Sequence, residues 1–365
     1  MLLTSLRVHD FRSYSQVCLT PPGGVTVLVG PNGVGKTNLL EAVHLCCLGR
    51  SHRTGNDHDM IAYGQETAAV QLTVERKDGE HQVGVRLYEN NRRKKIIYVN
   101  GKTMPRIGEL IGHATCVIFS PEDLHLIREG PQVRRRFLDM LLSQDNRNYF
   151  YALQQYTAAL KQRNALLRSL QFSGNQNQLD AWDEQLARTA DPVIRLRREA
   201  VEKLDRFSAL HYSDIAGRED ERFRMRYISQ LADAENPGEA LLSLLKSSRA
   251  EDLRRFTTQC GPHRDDLNLI LSDREIRSYG SQGQVRTAAL SMKLASFDLL
   301  RSSQGEDPLL LLDDVLSELD GTRRERLIAS VAGAQALLTC TDMSDLMDAR
   351  PACVLQVSEG ELKQL

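Results

Sequence analysis

A glycine-rich stretch near the amino end holds the residues most suited to chemistry. It consists of Gly30, Pro31, Asn32, Gly33, Val34, Gly35, Lys36 and Thr37. Four residues between two glycines, then Lys and Thr, fit the pattern of a phosphate-binding loop. The apolar run 25–29 ahead of it predicts a buried strand, and residues 38–43 behind it predict a helix. Strand, loop and helix in this order favour a nucleoside triphosphate site over a chance glycine turn.

The loop residues have distinct roles in such a site. Glycines lack Cβ atoms, so backbone N–H groups can close around a phosphate, and the helix amino terminus adds partial positive charge. Lys36 would reach the β- and γ-phosphate oxygens, and the Thr37 hydroxyl would ligate Mg²⁺. The predicted cofactors are therefore ATP and Mg²⁺.

Two acids after a leucine run form the second chemical position. Leu309–Leu312 leads into Asp313 and Asp314, and a continuous apolar run is typical of a parallel strand buried on both faces. At the carboxyl end of that strand a carboxylate can hold Mg²⁺ opposite the glycine loop. We assign the metal to Asp313, and we count Asp314, as general base or water-positioning residue, with Lys36 as catalytic. A strand that merely ends in two acids is the alternative.

A third position opens a predicted helix with Ser281, Gln282, Gly283 and Gln284. A serine and a glycine amide at a helix amino terminus make an anion site, so Ser281 and Gly283 are candidate nucleotide contacts. Taken alone, a simple N-capped helix explains the same residues.

The first part of the chain must position the glycine loop, and its pattern is mostly that of strands. Two strands around the polar turn 10–14 precede the loop. Alternating apolar residues from 68 to 87 predict a hairpin, and 95–99 predicts a further strand followed by an Asn-Gly turn.

The middle of the chain has the pattern of helices. Apolar residues recur every three or four positions from Pro121 to about Leu170, and again from Leu179 to Tyr212, where Pro192 predicts a restart. Two such tracts joined by a short polar tip predict an antiparallel helical hairpin. Residues 234–245 add one more helix.

Composition limits the class of protein. The 365 residues are 41% hydrophobic and 26% charged, and 47 Lys and Arg nearly cancel 48 Asp and Glu. Because no global basic field is available, any contact with nucleic acid must come from local clusters. Seven scattered cysteines without a Cys-x-x-Cys pair favour reduced thiols over disulfides or zinc. With no apolar run near the ~20 residues that span a bilayer and no signal-peptide pattern, we expect a cytoplasmic location.

Seven motifs in order give the chain a resemblance to a known family. They are Asp10–Tyr14, Gly30–Thr37, Phe119–Asp123, Arg134–Asp139, Gly261–Asp266, Ser281–Gln284 and Leu312–Asp320. Together, over nearly the whole chain, they resemble the RecF family of ABC-type ATPases, whose heads are similar to those of chromosome-maintenance proteins without the long arms.

The resemblance implies a fold and domain division. The fold would be α/β, an ABC-type P-loop ATPase head with mixed β-sheets and a mostly helical second lobe. Residues 1–119 and 257–365 would form the ATPase domain, and residues 120–256 the helical lobe with its short hairpin.

The resemblance also implies a function. Such proteins bind single- and double-stranded DNA in an ATP-dependent way, dimerise on ATP and hydrolyse it slowly. With the partners RecO and RecR they help load RecA at gapped DNA during recombinational repair, replication restart and the SOS response.

Residue roles follow from the same resemblance. Ser281 and Gly283 match the signature that covers the γ-phosphate held by the other subunit, and Ser317–Asp320 match the loop that communicates across the dimer. The catalytic glutamate of the wider ABC pattern is Asp314 here. The segment 338–342 offers Thr339 or Thr341 in place of the usual histidine, and no clear glutamine follows the strand that ends at Phe119. These departures predict weak hydrolysis.

Two other functions remain open at this point, an ATPase subunit of a transporter and a P-loop phosphotransferase. The transporter would need its signature closer to the glycine loop, and the phosphotransferase has no use for residues 281–284. Candidate DNA contacts, each of which a structural or solvated charge also explains, are Arg50, Arg53, Arg92–Lys95, Arg134–Arg136 and the pair His263 and Arg264.

Overall fold

The computed structural model describes residues 1–89, 95–173, 178–218, 220–331, 333–346 and 351–365. Its strands are β1 Leu2–Phe11, β2 Tyr14–Leu19, β3 Val25–Val29, β4 Thr67–Arg76, β5 Gly79–Tyr88, β6 Lys95–Val99, β7 Lys102–Met104, β8 Cys116–Phe119, β9 Phe223–Ile228, β10 Asp266–Leu271, β11 Arg274–Glu275, β12 Leu309–Asp313, β13 Ala336–Cys340, β14 Cys353–Ser358 and β15 Glu361–Gln364. Its helices are α1 Lys36–Leu48, α2 His125–Arg128, α3 Pro131–Asp145, α4 Arg147–Ser173, α5 Gln178–Ala216, α6 Pro237–Ser247, α7 Arg249–Arg255, α8 Ile276–Tyr279, α9 Gln282–Gln304 and α10 Gly321–Ser330.

The strands form three sheets. An antiparallel sheet has the order β2-β1-β4-β5-β6-β7, and a mostly parallel sheet has the order β15-β14-β3-β13-β12-β8. A small antiparallel sheet, β11-β10-β9, lies beside the long helices. The predicted α/β class with mixed sheets and helices is confirmed.

Two cores lie on opposite faces of the parallel sheet. Because successive side chains of a strand alternate between faces, Leu311 and Leu337 join the core shared with α1 and the antiparallel sheet, whereas Leu310 and Leu338 join the core shared with the helices. Helix α1 touches both sheets, and most of its residues are buried. The sheets therefore fix the helix that begins at the phosphate loop.

The helical hairpin is present, with one difference from the prediction. Helices α4 and α5 pack together, but α5 continues through Pro192 instead of restarting there. Its buried face includes Ala190, Val193 and Ile194 on both sides of the proline, so tertiary packing favours one continuous helix over the local preference of proline to end one.

The structure adds a strand that the sequence analysis missed. Strand β9 pairs with β10, so the small sheet crosses the domain boundary predicted at residue 257. The pattern of β9 is Phe-Arg-Met-Arg-Tyr-Ile, in which Phe223 and Met225 are buried; this alternation was the available signal. The division into two domains stays a prediction.

Candidate functional site

The phosphate loop joins the carboxyl end of β3 to the amino end of α1 in a conformation that requires glycine. Gly33 and Gly35 have φ of 85° and 109°, in the left-handed region that glycine adopts without steric cost. Gly30 permits a close approach, since a Cβ there would lie 2.5 Å from the carbonyl oxygen of Val357. A Cβ added to Gly33 would lie more than 4 Å from the other described atoms, its chain neighbours aside. The loop is shaped to admit a ligand on that side.

Lys36 is the buried cation of this loop. Its Nζ donates to the carbonyl oxygens of Gly30 and, at 2.9 Å, of Pro31, and the residue is 7% exposed. Burial lowers its pKa, although the charges of Asp314 and Asp313 act in the opposite direction. The ammonium group is thus held against the loop. Burial disfavours its charged form, and phosphate oxygens bound there would stabilise that form.

The start of α1 and the ends of β12 and β13 meet at three side chains, those of Thr37, Asp313 and Thr339. The hydroxyls of Thr37 and Thr339 donate to Asp313 Oδ1 at 2.8 and 2.9 Å. Burial raises the pKa of Asp313, and these two hydrogen bonds oppose the increase. The predicted metal residues Thr37 and Asp313 therefore meet at the junction of α1 with β12.

The same junction fits Mg²⁺ in its donor chemistry. Mg²⁺ prefers oxygen ligands and is usually held by one or two protein groups together with substrate phosphates and water. One hydroxyl and one carboxylate at the edge of a phosphate loop match that preference. Within the described ranges, no group of three or more His, Cys, Asp and Glu side chains could hold a metal, so the two oxygens suit a metal shared with a nucleotide rather than an all-protein site.

Asp314 has an unusual backbone and a free carboxylate oxygen. Its φ is 51°, and its backbone N–H donates to the Thr339 hydroxyl at 2.8 Å. Among the described residues its Oδ1 atom is buried without a hydrogen-bond partner. A strained residue with an unsatisfied acceptor is a common feature of a functional position.

Thr339 fixes both acids at once, because its hydroxyl donates to Asp313 and accepts from the backbone of Asp314. Of the two threonines that could replace the missing histidine, Thr339 lies within β13 and contacts both acids. Thr341 lies just beyond the end of that strand.

A buried glutamate on α1 was missed. Glu41 is fully buried, and Arg12 donates to both its oxygens at 2.7 and 2.8 Å, with Ser51 as a further donor. Burial raises the pKa of Glu41, but the hydrogen bonds from Arg12 and Ser51 outweigh it, and the pKa lies below its ordinary value. A lone acid within the apolar run of α1 was the signal in the sequence.

The same pairing fixes the turn before the loop, because Arg12 on that turn is held by Glu41. Its neighbour Ser13 accepts from Asn38 Nδ2 at 3.0 Å, and Asn38 Oδ1 accepts from Arg53 at 3.1 Å. Arg53 is 40% exposed and its charge reaches Asp313. Arg53 also pairs with Glu41 at 3.5 Å, and it is the more exposed of the two arginines, since the Arg12 side chain is 19% exposed.

The segment Ser281–Gln284 begins α9 with a capping box. Ser281 Oγ accepts from the Gln284 backbone N–H at 3.3 Å, and the Gln284 side chain accepts from the Ser281 N–H at 2.8 Å. Gln284 also donates to Glu221 at 3.0 Å. The capped-helix interpretation is therefore correct for the local structure, and it leaves the start of a rigid helix at the surface.

Helix α9 runs along β8 and carries this segment past the carboxyl edge of the parallel sheet. Lys293 in the middle of α9 pairs with Asp123 at 3.1 Å, just beyond the carboxyl end of β8. Ser281 lies twelve residues earlier, which at 1.5 Å per residue is about 18 Å further along the helix. The other end of α9 meets Thr115 before β8, so the helix projects Ser281 past the carboxyl edge of the sheet.

The loop expected to communicate across a dimer lies next to that segment. Asp320 caps α10 by accepting from the Arg323 N–H at 3.0 Å, and its carboxylate pairs with the Arg323 guanidinium at 2.6 Å. A Cβ on Gly283 would lie 3.3 Å from the same guanidinium. Arg323 thus connects the starts of α9 and α10.

After β8, Ser120 and Asp123 form a second capping box. Burial raises the pKa of Asp123, and the charge of Lys293 opposes the increase. This acid, rather than a glutamine, is the polar side chain that the turn places beside α9.

Most candidate DNA contacts are engaged within the chain. Arg134 donates to both carboxylate oxygens of Asp266 at 2.7 and 2.8 Å, Arg135 to the Asp265 carbonyl, and Lys95 pairs with Asp57. His263 bonds Tyr156 and the Thr258 carbonyl. Arg92–Lys94 fall outside the described residues. Arg53, Arg136 and Arg264 are exposed, although Arg264 also donates to the Thr258 carbonyl at 3.2 Å, whereas Arg50 is half-buried.

No helix in the described part of the chain combines the length and apolar character needed to cross a membrane.

Comparison with known proteins gives consistent matches over the whole chain. Residues 2–357 match the family model described as the RecF/RecN/SMC N terminal domain. The chain is 38% identical over 347 residues to the DNA replication and repair protein RecF of Clostridium perfringens, with 95% of this chain and 94% of the relative covered. It is 37% identical to the same-named protein of Alkaliphilus oremlandii, with 99% and 100% covered.

Solved structures give the same match. A structure described as the recombination mediator protein RecF-ATP in the RecFOR pathway superposes with a TM-score of 0.92 at 34% identity, covering 100% of this chain and 97% of that one. The Smc head domain from Pyrococcus furiosus superposes with a TM-score of 0.58 at 17% identity, covering 100% and 96%, which shows a likeness of fold.

Proposed function

The chain belongs to the RecF family of DNA replication and repair proteins, and from that premise we propose that it is an ATP-gated DNA clamp whose two copies close around trapped ATP. It is an ABC-type ATPase of the RecF family, and that family membership removes the transporter subunit and the phosphotransferase as competing interpretations. Within the proposal it binds single- and double-stranded DNA, hydrolyses ATP slowly, and acts with RecO and RecR in the cytoplasm to help load RecA at gaps.

One observation carries the gating. The phosphate loop and Asp313 meet within one chain, with 2.8 Å between Thr37 Oγ1 and Asp313 Oδ1, whereas Ser281 begins α9 as an exposed residue past the carboxyl end of β8. A second, exposed anion site at this edge suits the nucleotide of another copy. ATP would then complete the interface, and binding that completes an interface stabilises the dimer by mass action.

The residues divide the work of hydrolysis. Gly30, Pro31, Asn32, Gly33, Val34, Gly35 and Lys36 would hold the triphosphate, and Thr37 and Asp313 would hold Mg²⁺. When bound, the metal neutralises charge on the phosphate oxygens. Asp314, with its free buried oxygen, would orient and deprotonate water, and Thr339 would keep both acids in place. Aspartate is shorter than the usual glutamate, so we expect slow turnover, which suits a switch.

Sedimentation with and without a slowly hydrolysed ATP analogue tests the proposal. Wild-type chain should shift from monomer to dimer with the analogue. Lys36→Ala should abolish ATP binding and pairing together. Ser281→Arg should bind ATP normally, because its change lies outside the loop, and remain monomeric. An analogue-induced dimer in Ser281→Arg that equals the wild-type dimer would contradict the proposal.

DNA binding over a salt series in the same preparations tests the coupling. Affinity should fall as salt rises, as phosphate contacts require, and the analogue should raise it for the wild type but not for Ser281→Arg. An equal increase in DNA affinity for both proteins would show that DNA binding does not depend on pairing.

A further inference from the structure

A tyrosine with an overlying arginine stands next to the start of α9. Tyr279 is 71% exposed, and the guanidinium carbon of Arg274 lies 5.9 Å from the centre of its ring. Among the described tyrosines, Tyr63 is the other one whose side chain is mostly exposed. An aromatic ring left open to water with a cation already over its face is suited to an interface, where Tyr and Arg are enriched.

The backbone around this tyrosine is held in one arrangement. Helix α8 ends at Tyr279, and the Gly280 N–H donates to the Ile276 carbonyl at 2.9 Å. A Cβ at Gly280 would lie 2.6 Å from that same oxygen, so glycine permits the close turn between α8 and α9. Ile276 is buried and anchors α8 to the core. The ring is therefore presented by a fixed platform rather than by a loose loop.

Tyr279 and Ser281 belong to the same surface. Gly280 and Ser281 are both extended, with ψ of 134° and 163°. Tyr279 and Ser281 are two residues apart, so their Cα atoms lie within about 7 Å of each other, and both residues are exposed. A surface that brings a phosphate to Ser281 therefore comes close to this ring.

We propose that Tyr279, with Arg274 over its ring, is an anchor of the ATP-closed interface and packs against the phosphate-loop face of a second copy of this chain. The inference depends on the proposed function, since it requires that Ser281 meets the partner's nucleotide. It adds a residue pair that ATP binding within one chain does not use. The second copy is the occupant favoured here because the pair is continuous with the Ser281 surface and because Arg274 complements a triphosphate held by the partner.

Paired substitutions in the full chain test the inference by sedimentation with the slowly hydrolysed ATP analogue. Tyr279→Ala should bind the analogue as the wild type does and weaken analogue-induced pairing by about tenfold or more, the scale of an aromatic anchor. Tyr279→Phe should pair within about twofold of the wild type, since it keeps the ring. Tyr63→Ala, which removes the other exposed tyrosine, should pair normally.

Nitration of exposed tyrosines with tetranitromethane gives a second readout without any substitution. The analogue should protect Tyr279 in the wild type, while Tyr63 stays reactive in the same sample. Equal nitration of Tyr279 with and without the analogue, or an undiminished dimer in Tyr279→Ala, overturns the inference and leaves the proposed function standing. A wild-type chain that stays monomeric with the analogue overturns both.

Discussion

At the scale of single residues, the site is defined by which polar atoms are satisfied. Thr37 and Thr339 hold one oxygen of Asp313, whereas Asp314 keeps a buried oxygen without a partner in the described part of the chain. Two adjacent acids with different surroundings take different roles. In the proposed function Asp313 is the metal ligand and Asp314 is the group that handles the attacking water.

Asp314→Asn should separate binding from hydrolysis. The amide keeps the size of the side chain but cannot accept a proton, so ATP-dependent pairing should persist while phosphate release falls by roughly a hundredfold or more, the scale of a lost general base. Asp342→Asn, an exposed acid after β13, should leave both unchanged. Unaltered phosphate release in Asp314→Asn would remove the residue from the mechanism.

His263 should make folding stability sensitive to acid. Burial lowers its pKa to about 4, so between that value and about 6.5 the unfolded chain binds a proton that the folded chain does not. Stability is therefore lost as pH falls through this window, at up to about 1.4 kcal/mol per pH unit.

Urea unfolding at pH 7 and pH 5 checks this dependence. The loss of unfolding free energy between the two values should be about 2 kcal/mol smaller in His263→Gln than in the wild type. His9→Gln, which changes an exposed histidine, should behave as the wild type. Equal losses in all three proteins would contradict the assignment.

At the scale of elements, buried ion pairs join the helices to the rest of the chain. Arg197 on α5 donates to Asp139 on α3 at 2.7 Å and to the Pro262 carbonyl at 2.7 Å, and it contacts Asp265 at 3.2 Å. Its side chain is 2% exposed. The segment 261–266, which contributed to the family resemblance, is thus a structural joint between α3, α5 and β10.

Arg197→Met should weaken this joint strongly. Removing one partner leaves buried carboxylates without a counter-charge, which costs about 3–5 kcal/mol of unfolding free energy. Arg195→Met, two residues away on the same helix, breaks a part-exposed pair with Asp191 and should cost far less, because water screens such a pair. Urea unfolding of both variants measures the difference, and equal costs would refute a buried joint.

The sequence predicted elements whose signal is local and missed those whose signal is distant. The glycine loop, the leucine strand with its acids and the Ser281 cap each occupy a few consecutive residues. The roles of Arg134, Arg163 and Arg197 depend on acids that lie between 20 and more than 130 residues away in the chain. Because periodicity reports only which face is buried, it could not show that these arginines are inside.

At the scale of the whole molecule, charge cannot draw DNA to the chain from a distance. The formal net charge is −1, and several basic residues that suggested DNA contacts are paired inside the protein. In the proposed function, DNA affinity would come from a few exposed cations and from the doubling of such surfaces when two copies pair. The dimer is therefore the central element of the proposed function.

Mixing two defective chains tests most directly whether two copies pair around shared ATP. Lys36→Ala keeps Ser281 but lacks a working loop, and Ser281→Arg keeps the loop but lacks its complement. If each nucleotide is shared between two chains, every mixed dimer has one intact site, formed by the loop of the Ser281→Arg chain and the Ser281 of the Lys36→Ala chain. Sedimentation with the ATP analogue should then reveal dimers in the mixture that neither variant forms alone. If the loop and Ser281 serve the same nucleotide within one chain, no mixed dimer should form, and that result would contradict the account.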